Sequence, residues 1–207
     1  MFLILDFTKS LKIAIINKDI LIQKELNSKK NISEILIFEI EKFLKKTKVN
    51  IKKIKSIYII TGPGSFTGIR SALTFAKSLK LTMKLNIFGL SKFQIINSKI
   101  KINKFNKTRC IFLYFKNKQL FSQTFKGYKA INEARLINLD KEKLKFNNDI
   151  TYIYDNVLLE SSLGIEFLKR NDNSHFVDYN FKEINELIVN NMIDNTDPKP
   201  LYISSYY

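Results

Sequence analysis

The chain has 207 residues, 45% of them hydrophobic, with 35 Lys and Arg against 19 Asp and Glu and a net charge of +16. That apolar content excludes a disordered chain, and the length points to one domain or two small lobes. The lone Cys110 excludes an internal disulfide or a multi-cysteine metal site and fits a reducing cytoplasm, while the lone His175 excludes any site built on two histidines.

Phe2 to Leu5 predicts a buried first strand, and the opening Met1-Phe-Leu-Ile-Leu-Asp6 has no basic n-region of a signal peptide. Ile13 to Ile16 and Ile20 to Glu25 continue an opening meander. Ile32, Ile35, Leu36, Ile40, Phe43 and Leu44 recur at helical spacing, with Ser33 as the expected N-cap. Ser56 to Ile60 predicts a strand that runs into Thr61-Gly-Pro-Gly-Ser-Phe-Thr-Gly-Ile-Arg70. Beyond that loop Ile69, Ala72, Leu73, Ala76, Leu79 and Met83 share one helical face. A short strand is expected at Leu85 to Gly89, and a helix from Ser91 to Asn97.

The polar, basic stretch from Ser98 to Thr108 marks a lobe boundary. It gives an N-terminal lobe over 1–98, a linker over 99–108 and a smaller, divergent lobe over 109–207. There, strands are expected at Cys110 to Phe115 and Gln119 to Phe125, joined by a hairpin turn at Asn117-Lys118. A short helix at Ile131 to Leu136, a strand at Ile150 to Tyr154, helices at Ser161 to Lys169 and Lys182 to Met192, and an extended tail complete the reading. The class is α/β in two lobes with mixed sheets flanked by helices. No run approaches the roughly 18 uninterrupted apolar residues of a membrane-spanning helix.

Charge is unevenly spread. From Lys42 to Asn132 there is no Asp or Glu, against 21 Lys and Arg. Such a block suits a polyanion such as RNA. Arg, which bidentate phosphate recognition prefers, is scarce, and a Lys-, Asn- and Ile-rich composition also reflects A/T-rich codons.

The glycine loop admits three active readings. A nucleophile elbow needs Gly-x-Ser-x-Gly, but Gly64 directly precedes Ser65, and His175 near Asp178 offers only a weak base. A dinucleotide loop needs its third glycine one residue before Gly68 and an acid about 20 residues on, and no acid occurs before Glu133. A Walker loop needs Gly-Lys-Ser/Thr where Gly68-Ile69-Arg70 stands. The remaining reading is a type II turn with Pro63 and Gly64 at its centre, followed by a helix capped by Ser65 or Thr67, whose first amides offer a weak anion site.

The run Gly62-Pro-Gly-Ser-Phe-Thr-Gly-Ile-Arg70 resembles the signature of the bacterial TsaB (YeaZ) family, in the Gcp/peptidase-M22-like group. Leu3-Ile-Leu-Asp6, Ser33-Glu34 through Ile40, Ala76-Lys77, Gly89-Leu90-Ser91 and Pro200-Leu-Tyr202 fall in register with it. The resemblance covers residues 1 to 97 clearly and the second half in outline. It implies an actin/hexokinase/Hsp70-like (ASKHA) fold and a non-catalytic subunit in threonylcarbamoyladenosine (t6A) modification of tRNA. The implied partners are a catalytic TsaD paralogue, a TsaE-like ATPase, tRNA within the complex, and a second copy when the paralogue is absent. No membrane partner is implied, and the setting is cytoplasmic. ATP and threonylcarbamoyl-adenylate fall to the partner subunits, with no cofactor or metal held by this chain alone and no catalytic residue in it. The implied partner surface comprises the loop residues Gly62, Pro63, Gly64, Ser65, Phe66, Thr67, Gly68 and Arg70, together with Ile37 and Phe75, which lie off their helices' main stripes.

The residues themselves argue the same way. An ATP-binding member of this fold reads Asp-x-Gly-Thr/Ser in its first phosphate loop. Here Asp6-Phe7-Thr8-Lys9 has bulk and no glycine, so Asp6 and Thr8 stand as a vestigial phosphate loop. Tyr114 takes the place expected for a second acid. A Lys-rich RNA-binding module and a nucleotide-dependent enzyme of the same fold are the competing readings.

Overall fold

The structure is a computed structural model and describes residues 1–18, 20–27, 31–99, 108–159, 174–177, 180–181, 184, 187, 193 and 197–203. The chain divides into two compact units, Met1–Lys92 with Leu187–Tyr202, and Phe93–Glu186 with Ile203–Tyr207. The division therefore falls just ahead of the polar 99–108 stretch, and most of the tail belongs to the first unit.

The first unit is built on a five-stranded sheet of order β3-β2-β1-β4-β5. β1 (Phe2–Asp6), β2 (Leu11–Asn17) and β3 (Ile20–Leu26) form the expected antiparallel meander. β4 (Ser56–Gly62) and β5 (Asn86–Ser91) add on in parallel, after α1 (Ile32–Lys46) and α2 (Phe66–Met83) respectively. Period-two alternation sends Leu3, Leu5, Ile13, Ile15, Ile57, Ile59 and Ile87 into one cluster with Leu36, Ile40, Phe43 and Leu44 of α1 and Ile69, Ala72, Leu73 and Ala76 of α2. The two helices thus share one face of the sheet and pack on each other, as the apolar stripes required. Each fully buried Ile or Leu contributes about 1.5–3 kcal/mol to holding them there.

Residue Asn31, and not Ser33, holds the N-cap position of α1. Its side chain makes no cap bond and instead donates from Nδ2 to Glu34 Oε1 at 2.9 Å. The helix begins two residues earlier than a cap at Ser33 would set it, because Ile32 packs onto the core from the first helical residue.

The second unit carries a sheet of order β11-β10-β6-β7-β8, with β9 pairing β7 off that path. β6 (Thr108–Lys116) and β7 (Gln119–Lys126) form the expected hairpin, with Asn117 at a left-handed φ of 50° in the turn. β8 (Lys129–Ala130), β10 (Ile150–Asp155), α4 (Asn156–Leu159) and β11 (Ser174–Val177) follow around β9 (Arg135–Asn138), and α3 (Lys92–Ser98) leads in from the first unit. The short helix expected at Ile131–Leu136 is absent. Ile131 N–H bonds Thr124 O at 2.9 Å and the Asn132 side chain accepts from Thr124 N–H at 2.8 Å, so Arg135 onward pairs along β7. Helix-favouring Glu133 and Ala134 are overridden by an unsatisfied sheet edge. The helix expected at 161–169 lies outside the described residues, and within 182–192 only Ile184 and Leu187 are described.

Candidate functional site

The glycine loop connects β4 to α2 and closes over the turn that follows β1. Ser65 N–H donates to Thr8 O at 2.6 Å. A Cβ on Gly64 would lie 2.4 Å from Thr8 Cβ and 2.5 Å from Thr8 O, and one on Gly68 would lie 1.9 Å from Phe7 O. These glycines therefore make room for the chain's own backbone at Phe7 and Thr8. Phe7 itself is fully buried in the core of the first unit, so its bulk pins the β1 turn against α2. Asp6 is buried and its Oδ1 accepts from Thr8 N–H at 2.9 Å and from Thr8 Oγ1 at 2.6 Å, the amide-capping role open to a strand-end acid.

The turn is not type II. The Gly62–Pro63 peptide is cis and Gly64 has φ of 159°, far from the roughly +80° that a type II turn needs at its second central residue. Gly62, at φ of 127°, is the position where a side chain is excluded by conformation. Ser65 is the N-cap of α2, accepting from Gly68 N–H at 3.2 Å through Oγ. Ser65→Ala is expected to cost about 1 kcal/mol and to lower the melting temperature by about 2–4 °C. A melt superimposable on the parent chain would contradict the cap.

Phe66 and Arg70, one turn apart on α2, meet the tail. The Arg70 guanidinium carbon lies 3.8 Å from the centre of the Phe66 ring, Arg70 Nε donates to Tyr202 Oη at 3.1 Å, and the Phe66 and Tyr202 rings are 4.9 Å apart. Leu201 N–H donates to Thr61 O at 2.8 Å, and Lys77 pairs with Asp197 at 2.8 Å. That hydrogen bond from Lys77 holds the Asp197 carboxyl below its ordinary pKa. Pro198 is buried against Gly89, where any Cβ would lie 2.8 Å from Pro198 Cβ. The Pro-x-Tyr tail thus clamps the glycine loop and the start of α2.

Between α1 and α2 runs an apolar groove. One stretch of about 590 Å³ is lined by Leu36, Ile37, Phe66, Thr67, Arg70 and Phe75 among others. A second of about 480 Å³ continues past Ile37, Phe75 and Leu79 to Lys45, Lys48 and Ile51. Ile37 is 67% exposed and Phe66 47% exposed. Phe75 is half-buried, resting partly on the core as well as lining the groove. Of the residues singled out by sequence, Ile37, Phe66, Thr67, Arg70 and Phe75 come together here, and Gly62, Pro63, Gly64, Ser65 and Gly68 form the buttress behind them. Asp6 and Thr8 lie on the other side of that buttress.

Two side-chain roles, one at this site and one in the second unit, were not legible in the sequence. Tyr202 was noted only as part of a motif, with no signal that it would stack on Phe66. Asp155 ends β10 as Asp6 ends β1, accepting from Tyr114 N–H at 3.2 and 3.3 Å and from Leu158 N–H at 3.1 Å. The acid missing at Tyr114 is therefore supplied to that residue's amide by the neighbouring strand. The apolar run ending in Asp155 repeated the pattern of β1 and was the available signal.

Residues 19–161 match the family model described as TsaD, tRNA N6-adenosine threonylcarbamoyltransferase. A tRNA threonylcarbamoyladenosine biosynthesis protein TsaB from Buchnera aphidicola subsp. Schizaphis graminum is 33% identical over 87 residues, 42% of this chain and 41% of that one. The TsaB protein from Buchnera aphidicola subsp. Baizongia pistaciae is 30% identical over 131 residues, 60% of this chain and 58% of that one. The chain thus spans less than two thirds of the length of these curated relatives. YeaZ from Pseudomonas aeruginosa superposes with a TM-score of 0.65 at 10% identity, covering 98% of this chain and 99% of that one. An uncharacterized Pseudomonas aeruginosa protein with similarity to peptidase YeaZ superposes with a TM-score of 0.67 at 11% identity, over 98% and 99% of the two chains. The fold is that of YeaZ, the α/β class with mixed sheets expected from the sequence. With the family model spanning well over half of its residues, the chain belongs to the tRNA N6-adenosine threonylcarbamoyltransferase (TsaD) family, and the curated relatives it is similar to carry the name TsaB.

Proposed function

We propose that the chain is a non-catalytic scaffold subunit of the cytoplasmic complex that attaches threonylcarbamoyl to adenosine 37 of tRNAs reading codons that begin with A. It pairs with a catalytic TsaD paralogue through the α1/α2 groove, and the complex as a whole engages the TsaE-like ATPase and the tRNA. The observation that carries this reading is the groove itself. Ile37 and Phe66 stand exposed on a soluble-sized unit, beside half-buried Phe75, over a cleft that two packed helices leave open. Apolar side chains concentrated this way mark a protein interface rather than a solvated helix face.

The β1 turn supports the non-catalytic part. Where an ATP-binding relative of this fold admits a phosphate against glycine backbone, Phe7 and Thr8 already sit against Gly64 and Gly68. ATP and the threonylcarbamoyl-adenylate belong to the partners in this reading. The isolated chain is expected to transfer no threonylcarbamoyl group from its adenylate to tRNA, and to gain less than about 1 °C in melting temperature from millimolar ATP. Turnover by the isolated chain, or a nucleotide-induced rise of several degrees, would overturn the assignment.

A further inference from the structure

The connections that enter β4 and β5 gather exposed lysines at one edge of the first sheet. The last turn of α1 and the segment behind it supply Lys46, Lys48, Lys52, Lys53 and Lys55, and the end of α2 supplies Lys84. All six are exposed. The backbone ties the two connections together, with Lys55 N–H on Met1 O at 3.0 Å and Asn86 N–H on Lys55 O at 3.4 Å. Strand register sets the starts of β4 and β5 side by side, since Ser56 pairs with Phe2 on one side and Asn86 on the other. Lys45 beside them is neutralised by Glu41 at 2.6 Å, whereas the six take part in no ion pair among the described residues.

Codon composition accounts for many lysines, and the fold brings these six, exposed and without an ion pair among the described residues, to one place. Two of them, Lys48 and Lys84, hold left-handed turn positions at φ 55° and 54°, as Lys18 does between β2 and β3, positions that Asn or Gly adopts more readily. The edge also adjoins the groove, whose far end is lined by Lys45, Lys48, Asn50 and Ile51.

We propose that this lysine edge holds the sugar–phosphate backbone of a structured RNA. The identity of that RNA as a tRNA rests on the function proposed above. Lysines act as mobile point charges without the bidentate fork of Arg, so the contact positions the RNA and reads no sequence. Because the edge borders the groove, it extends the RNA-facing surface of whatever partner is seated there.

The test is binding of a transcribed tRNA to the full chain alone, by fluorescence anisotropy, at salt concentrations from about 50 to 200 mM. The triple variant Lys52→Glu/Lys53→Glu/Lys55→Glu is expected to lose at least about tenfold in affinity and to flatten the log–log salt slope by about 2–3, close to one per phosphate contact. A control with the same charge change, Lys116→Glu/Lys126→Glu/Lys129→Glu in the second unit, is expected to stay within about threefold of the parent chain. An equal loss in both triples would reduce the effect to net charge and overturn the proposal. So would the absence of tRNA binding at low salt, or capture of phosphatidylserine vesicles in preference to tRNA. Because the catalytic paralogue is absent from this assay, failure of the pairing would leave the RNA result standing, and loss of the RNA result would leave the pairing intact.

Discussion

Ile37→Asp is expected to abolish co-elution with the catalytic paralogue while leaving the melting temperature of the chain within about 2 °C of the parent. The side chain is 67% exposed in the free chain and lines both stretches of the groove. Substitution of so exposed a residue changes stability by about 0.5 kcal/mol or less. In a complex the same position becomes buried, and a carboxylate with no partner there carries a desolvation penalty of several kcal/mol. A loss of even 2–3 kcal/mol at the centre of an interface weakens binding by about 30- to 150-fold. Leu81→Asp supplies the control. Leu81 is 84% exposed on the same helix pair but lines neither stretch of the groove. Isothermal titration with both variants separates a local interface from general surface apolarity. Unchanged affinity for Ile37→Asp would remove the groove from the interface.

The second large effect is on stability. Gly68→Ala should destabilise the chain by at least about 3 kcal/mol, in the range of severe overpacking. Two terms oppose each other here. Ala is favoured over Gly inside a helix by about 1 kcal/mol. Against this, the new Cβ would lie 1.9 Å from Phe7 O and 3.0 Å from Phe7 C. These are backbone atoms of a residue whose side chain is fully buried, so the β1 turn has no direction in which to yield. The clash wins, and for a chain of this size the melting temperature should fall by about 6–12 °C. A thermal melt within about 2 °C of the parent would show that α2 and the β1 turn are not in contact.

That contact also shows where sequence reasoning reaches and where it stops. The spacing of glycines rules out an elbow and a nucleotide loop and leaves Ser65 and Thr67 as cap candidates, because these readings depend only on neighbours in the chain; of the two, Ser65 holds the cap. The reason for Gly64 and Gly68 was not legible. It lies in the approach of Phe7 and Thr8, some sixty residues away in sequence. The stripes of α1 and α2 were legible from period alone, and Ile37 was visible as a residue off its stripe. The β9 strand was not, since Glu133 and Ala134 favour helix and only pairing with β7 decides otherwise. Tyr202 and Pro198 likewise gain their roles from Phe66 and Gly89, which no local pattern connects to the tail.

The central claim is that this chain pairs with a catalytic paralogue through the α1/α2 groove. Its most direct test is size-exclusion chromatography with light scattering on an equimolar mixture of the full chain and the catalytic TsaD paralogue from the same source. A single species with the summed mass of one copy of each, or of two copies of each, is the predicted result. Two independent peaks, each at the mass and volume of its component run alone, would contradict it.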